Sequence, residues 1–268
     1  GTHAEQTARV MERLEPILVA EAPDLVLVPG DVNSTLGATL TAVKLRIPVA
    51  HVESGLRSFD RTMPEEINRI VTDRISDLLF VHSEDAIDNL RREGVSDDRI
   101  HFVGNTMIDT LVAMEPRFRA RGTAGEVGVE PGEFLLVTLH RPALVDSDLL
   151  GPAIDALGAV ARELPVVFPV HPRTRRALDG RRLAPGIRLS QPLGYFDFLS
   201  LACDAGAVLT DSGGVQEEAT YLRVPCFTLR ANTERPVTIS HGSNVLLGLD
   251  PERIRELPAL LTSGRPMP

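Results

Sequence analysis

With 268 residues the chain has room for one large domain or two of medium size. Its 43% apolar and 24% charged residues are those of an ordinary globular protein, and no run of about 18 apolar residues offers a membrane span. A net charge of -9 excludes the basic footprint of a nucleic-acid binder. Cys203 and Cys226 stand far apart without metal-ligand spacing, as reduced thiols of a cytoplasmic protein do, and no signal peptide is visible. Trp is absent, so the core falls to Val, Leu, Ile and Ala.

In chain order, Met11, Leu14, Ile17 and Leu18 mark an amphipathic helix over 11–20, ended at Pro23. Residues 25–28 are apolar on both faces, the pattern of a buried parallel strand. Helices over 36–45, 64–75, 83–92 and 106–114 then alternate with strands over 47–52, 77–81 and 100–103, and Pro64 suits a first helical turn. Residues 117–132 mix Arg, Gly, Glu and Pro with little apolar pattern and read as a linker. This divides the chain into an N-terminal domain, 1–116, and a C-terminal domain, 133–268.

The alternation restarts with strand 134–139, helix 147–163, strand 166–170, a short helix over 173–178 and strand 187–189. Helix 195–203, strand 207–210, a helix from Val215, strands 224–229 and 243–247, and helix 251–261 complete it. Strand–helix alternation on both sides of a linker predicts an α/β protein with two Rossmann-like parallel sheets. Ligands of such sheets bind beyond the carboxyl ends of the strands, which makes a cleft between the domains the expected location.

The strand exits carry unusual residues. Pro29-Gly30-Asp31 follows the first strand, Glu53-Ser54-Gly55-Leu56-Arg57 the second, and Glu65 opens the next helix. Each carboxylate has a plain reading as well: Asp31 as a helix cap and Glu65 as a first-turn acid. Together, three converging carboxylates would repel one another and raise some of their pKa values, as general acids and bases require. His51, just inside its strand, and His82 read as structural.

In the second half His140-Arg141 and His171-Pro172-Arg173 follow two strands, and Arg235 follows another. The stretch Ala207 to Glu218 reads as strand, glycine turn and helix. Gly213 and Gly214 allow close approach of a ligand to the backbone, and the new helix's N–H groups attract phosphate. Glu217 and Glu218, a turn on, suit sugar hydroxyls. The plain alternative is a helix cap by Asp211 or Ser212.

These segments resemble one family. Gly30-Asp31-Val32-Asn33-Ser34-Thr35, His51 through Asp60, Met63 through Arg69, Phe102 through Asp109, Thr138 through Arg141, Asp211 through Glu218 and Asn232 through Pro236 are similar, in order, to the non-hydrolysing UDP-N-acetylglucosamine 2-epimerases. The resemblance implies a two-domain fold of glycosyltransferase-B type and interconversion of UDP-GlcNAc with UDP-ManNAc. UDP would leave to give a 2-acetamidoglucal and then add back. It matches Asp31, Glu53 and Glu65 to acid/base carboxylates and His140 to a histidine that stabilises leaving UDP. Ser212, Gly213, Gly214 and Glu218 match nucleotide-sugar contacts, with Arg57, His171 and Arg235 as further substrate contacts and Phe198 against uracil. No metal or redox cofactor is implied. A homodimer and a role in cell-wall polysaccharide synthesis are.

Two departures stand out. The chain starts Gly1-Thr2-His3 and stops at Pro268, without the family's first strand, its Gly-Thr-Arg-Pro-Glu loop and its closing helix, so segments beyond both ends and an exposed edge of the first sheet are expected. Pro142-Ala143-Leu144 stands where the family continues Pro-Glu-Asn, removing polar side chains. The rival readings are a hydrolysing relative that releases ManNAc and UDP, a glycosyltransferase of the same fold, and a UDP-binding form without catalysis.

Overall fold

The computed structural model describes residues 1–262. The chain begins with α1 (His3–Glu21), which Thr2 and Glu5 close in a reciprocal capping box. There follow β1 (Val26–Pro29), α2 (Asn33–Lys44), β2 (Val49–Val52), α3 (Pro64–Ile75), β3 (Leu78–Val81), α4 (Glu84–Arg92) and β4 (Ile100–Phe102). The four strands pair in parallel in the order β1-β2-β3-β4. Val28, Val49, Leu18 and Ala42 are buried between this sheet and its helices.

The second half comprises α5 (Thr106–Arg119), α6 (Thr123–Glu126), β5 (Leu135–Thr138), α7 (Pro142–Val145), α8 (Leu150–Val160), β6 (Val166–Pro169), α9 (Pro172–Ala177) and β7 (Ile187–Ser190). It continues with α10 (Tyr195–Asp204), β8 (Ala207–Thr210), α11 (Gly213–Leu222), β9 (Cys226–Thr228), α12 (Val237–Ser240), β10 (Asn244–Leu246) and α13 (Leu257–Thr262). Its parallel sheet runs β10-β9-β8-β5-β6-β7. Chain order reverses at β5, so the exits of β5 and β8 flank the topological switch point, where α/β sheets hold ligands.

The compact units divide at a different place from the expected linker. The first spans Gly1–Thr106 and the second begins at Met107. Residues 117–132 are no spacer: α5 runs through Pro116 to Arg119 and buries Leu111 and Phe118 against Leu199, while Ala124 and Val129 join a core cluster of the second unit. Polar composition hid a segment with few but fully buried anchors. Among the described residues no helix is long and apolar enough to cross a membrane. The expected C-terminal residues past Thr262 lie outside the described ones.

Candidate functional site

In the first unit the sheet register places Pro29 opposite Val52, so the chain leaves β1 and β2 side by side. Asp31 and Glu53 follow on these adjacent exits. Glu53 has φ +65°, left-handed backbone that a non-glycine residue adopts at a cost. Glu65 lies in the first turn of α3 and lines a cavity of about 290 Å³ together with Val32, Asn33 and Asn68. The three carboxylates are thus brought to one end of one sheet. Mutual repulsion is not what Asp31 meets there: its Oδ2 accepts from Arg69 Nη1 at 2.5 Å, and its side chain is 30% exposed.

Arg69 belongs to an unusual face of α3. Glu66, Asn68, Arg69, Thr72 and Asp73 are all buried, so the helix turns a polar stripe inward. Glu66 accepts from the Ser58 N–H and hydroxyl, the Phe59 N–H and the Arg69 guanidinium. Burial alone would raise the Glu66 carboxyl, but these donors hold it below the ordinary carboxylate range. Asn68 Nδ2 donates to the Asp31 carbonyl at 2.9 Å. Asp73 accepts from the Gly55 N–H at 3.0 Å and pairs with Arg57 at 2.7 Å and His51 at 2.6 Å.

That network surrounds Arg57, the expected substrate contact, with acceptors of its own unit. Its guanidinium is 3% exposed and is bound by Asp73, by both carboxylate oxygens of Glu93 and by the Leu56 carbonyl. Its donors are engaged by the unit's own acceptors. The inward residues of α3 were missed because a polar helix stripe ordinarily faces solvent. The signal that was available is the spacing of opposite charges, Glu66, Arg69 and Asp73, on one helical face.

In the second unit β5 pairs with β8, with Thr138 opposite Thr210 and their hydroxyls 2.7 Å apart. Past this pair, Asp211 Oδ2 accepts from the His140 and Arg141 N–H groups at 2.8 and 2.7 Å. Asp211 therefore ties the exit of β8 to that of β5 and caps no helix. The N-cap of α11 is Ser212, whose side chain makes no capping hydrogen bond. The helix starts two residues earlier than expected, at Gly213.

His140 is 42% exposed on its side chain; Nδ1 lies 3.0 Å from Asp211 Oδ1, close in distance but outside hydrogen-bond alignment. The His171 ring stands 5.9 Å from it, centroid to centroid, and accepts from the Arg173 N–H through Nδ1. The exits of β5 and β6 thus bring the two histidines together. Phe198 is half-buried and packs against two core clusters. Tyr195, one turn before it, is the exposed aromatic of α10.

Arg235, 8% exposed, donates Nε to Glu217 at 2.6 Å and Nη1 to Glu234 at 2.7 Å. Glu217 is thereby engaged by a guanidinium, not left for sugar hydroxyls. This packing also explains the glycine at 213, where a Cβ would meet the Arg235 guanidinium and come within 2.6 Å of Glu234 Oε1. Glu234 also accepts from Arg230 at 2.7 Å. Against the upward pull of burial, Arg235 and Arg230 hold its carboxyl down to about 2. Glu218 has the opposite fate: burial and the neighbouring charge of Glu217 push it up to about 7, moderated by a hydrogen bond from Tyr195.

Residues 1–265 match the family model described as UDP-N-acetylglucosamine 2-epimerase. A protein of that name from Methanocaldococcus jannaschii is 44% identical over 267 residues, covering 95% of this chain and 73% of that protein. The UDP-2,3-diacetamido-2,3-dideoxy-D-glucuronate 2-epimerase of Pseudomonas aeruginosa is 41% identical, over 96% of this chain and 72% of its own length. Among solved structures, the M. jannaschii UDP-GlcNAc 2-epimerase in complex with UDP-GlcNAc and UDP superimposes with a TM-score of 0.90 at 40% identity, covering 99% of this chain and 76% of that one.

Proposed function

Because the chain belongs to the UDP-N-acetylglucosamine 2-epimerase family, we propose that it interconverts UDP-GlcNAc and UDP-ManNAc without net hydrolysis. The observation that carries this reading is the grouping of Asp31, Glu53 and Glu65 at one end of the first unit's sheet. One carboxylate removes the C2 proton as the C1–O bond to UDP breaks, leaving a 2-acetamidoglucal. Another returns a proton to the opposite face of C2 while the UDP oxygen re-forms the bond to C1. Protons and electron pairs balance, and no redox partner enters.

The second unit supplies the nucleotide contacts. Ser212, Gly213 and Gly214 offer backbone donors at the start of α11, which suit a diphosphate. His140 and His171, exposed beside one another, stabilise the charge that develops on leaving UDP. Arg235 fixes this turn through its packing on Gly213, Glu218 accepts from sugar hydroxyls, and Phe198 borders the uracil. The reading extends to a homodimer in the cytoplasm, where Cys203 and Cys226, both free, stay reduced.

The test is proton NMR of UDP-GlcNAc with the enzyme in deuterated water. Deuterium at C2 together with UDP-ManNAc is the expected result. Accumulation of free ManNAc would transfer the chain to the hydrolysing relatives, and absence of exchange would end the epimerase reading. The similarity to the P. aeruginosa protein favours a second substrate, UDP-2,3-diacetamido-2,3-dideoxy-D-glucuronate, for a parallel reaction. Faster exchange on that sugar would reassign the substrate while keeping the chemistry.

A further inference from the structure

The Gly30–Asp31 turn is gripped from three directions. Gly30 has φ +69°, a left-handed geometry in which a side chain is strained. Asn68 donates to the Asp31 carbonyl, Arg69 donates to the Asp31 carboxylate, and His51 Nε2 lies 2.8 Å from the Gly30 carbonyl oxygen. Asn and Arg are donors by their chemistry; the imidazole alone has a choice of protonation.

His51 is completely buried in the middle of β2. Its Nδ1 lies 2.6 Å from Asp73 Oδ1, so both ring nitrogens face oxygen. A peptide carbonyl only accepts, and so does an ionised carboxylate. A neutral imidazole has one N–H, and beside ionised Asp73 either tautomer would set a ring lone pair against an oxygen lone pair where water has no access. Asp73 is held as a carboxylate by Arg57 at 2.7 Å and by the Gly55 N–H.

The charged groups facing the ring alternate: Asp73 from α3, then Arg57 from the loop after β2, then Glu93 after α4. The flanking strands present Val28 and Leu79, which are apolar. Asp73 and Arg57 are buried and balance one another, while the Glu93 side chain is 36% exposed, so the state of the ring is decided by its own two short contacts. We infer that His51 is a buried imidazolium that donates from both nitrogens and acts as a positioning residue, fixing the Gly30 carbonyl and through it the Asp31 carboxylate.

The kinetic part of this inference rests on the proposed role of Asp31; the charge state rests on hydrogen-bond chemistry alone. The experiment is nitrogen NMR of the intact enzyme labelled in its histidine rings, at neutral pH, with the His51 signals identified by their loss in His51→Gln. Two ring nitrogens each bearing a slowly exchanging proton are expected. A single protonated nitrogen overturns the inference, and needs no variant that folds beyond the one used for identification. In the exchange assay, His51→Gln is expected to lower kcat by about tenfold or more, the signature of a displaced catalytic group, while KM stays within about twofold. An unchanged kcat in a folded variant overturns the positioning role. If the unaltered enzyme itself fails to exchange deuterium, the epimerase reading falls, and the count of ring protons still decides the charge of His51.

Discussion

Glu218 and Glu234 lie in the same unit and are equally hidden, at 6% and 2% exposure, yet their carboxyl groups part in opposite directions. Glu234 sits between Arg235 and Arg230 and is held down to about 2 in spite of burial. Glu218 has burial and the Glu217 charge against it, with one phenol hydrogen bond in its favour, and is pushed up to about 7. Burial sets the size of the stakes and the partner sets the sign. A carboxylate locked between guanidiniums is architecture. One that titrates near neutrality can gain or lose a proton when a sugar hydroxyl or phosphate arrives.

The most severe way to break the contrast is to remove the cation that Glu234 and Glu217 share. Arg235→Met should destabilise the protein by about 3–5 kcal/mol, because it strips a buried guanidinium from carboxylates that remain in place. Denaturant unfolding of the variant and its parent measures this; a loss below about 1 kcal/mol would mean that Arg235 contributes little to the folded state.

Asp31 falls between the two cases, with Oδ2 paired to buried Arg69 and its side chain still 30% exposed. Pairing that leaves an open face is what a proton-transfer group needs. Asp31→Asn should therefore cut turnover by about two powers of ten, equivalent to about 2.7 kcal/mol in the barrier, while leaving the fold intact. The deuterium-exchange assay reads it, and a near-normal rate would remove Asp31 from the mechanism. Glu53→Gln and Glu65→Gln carry the same expectation.

Much of this was legible in the sequence, and the limits were physical. Apolar runs and helical periodicity gave both parallel sheets, because a strand buried on two faces has little freedom in composition. The glycine turn at 213 was legible as a close approach, but the approaching group is Arg235 of the same chain, which a local reading cannot supply. The family resemblance implies a substrate contact at Arg57, and only the fold reveals Asp73 and Glu93 around it. The stripe Glu66, Arg69 and Asp73 resembles a solvent face by composition, and nothing short of tertiary structure turns it inward.

The pH dependence of stability sharpens the contrast further. A carboxyl pushed up in the folded state keeps its proton where the unfolded chain has released it. Glu218 thus lowers stability as pH rises from about 4.5 to about 7, by on the order of 3 kcal/mol. Glu234 works the other way: the stability it contributes is present above about 4.5 and is lost as pH falls toward about 2. Glu218→Gln should flatten the upper limb and leave the acid limb alone. Equal changes in both limbs would show that the two carboxylates titrate as one system.

The smallest effect is the most discriminating. Tyr195 is 41% exposed, and its hydroxyl donates to Glu218, which favours the ionised carboxylate; the phenol is itself pushed up to about 12, first by burial and then by the Glu218 charge. Tyr195→Phe removes this donor and little else, so its cost in stability should stay at or below about 1 kcal/mol. Its informative consequence is the direction in which the Glu218 limb moves. With burial and Glu217 unopposed, the folded-state midpoint should climb above its present value near 7, and the upper limb should extend to higher pH. Urea unfolding of Tyr195→Phe across the neutral range measures that end point. A midpoint that stays put would mean that the phenol does not stabilise the carboxylate, and one that falls would mean that Glu218 is set by solvent entering its pocket and not by its partners.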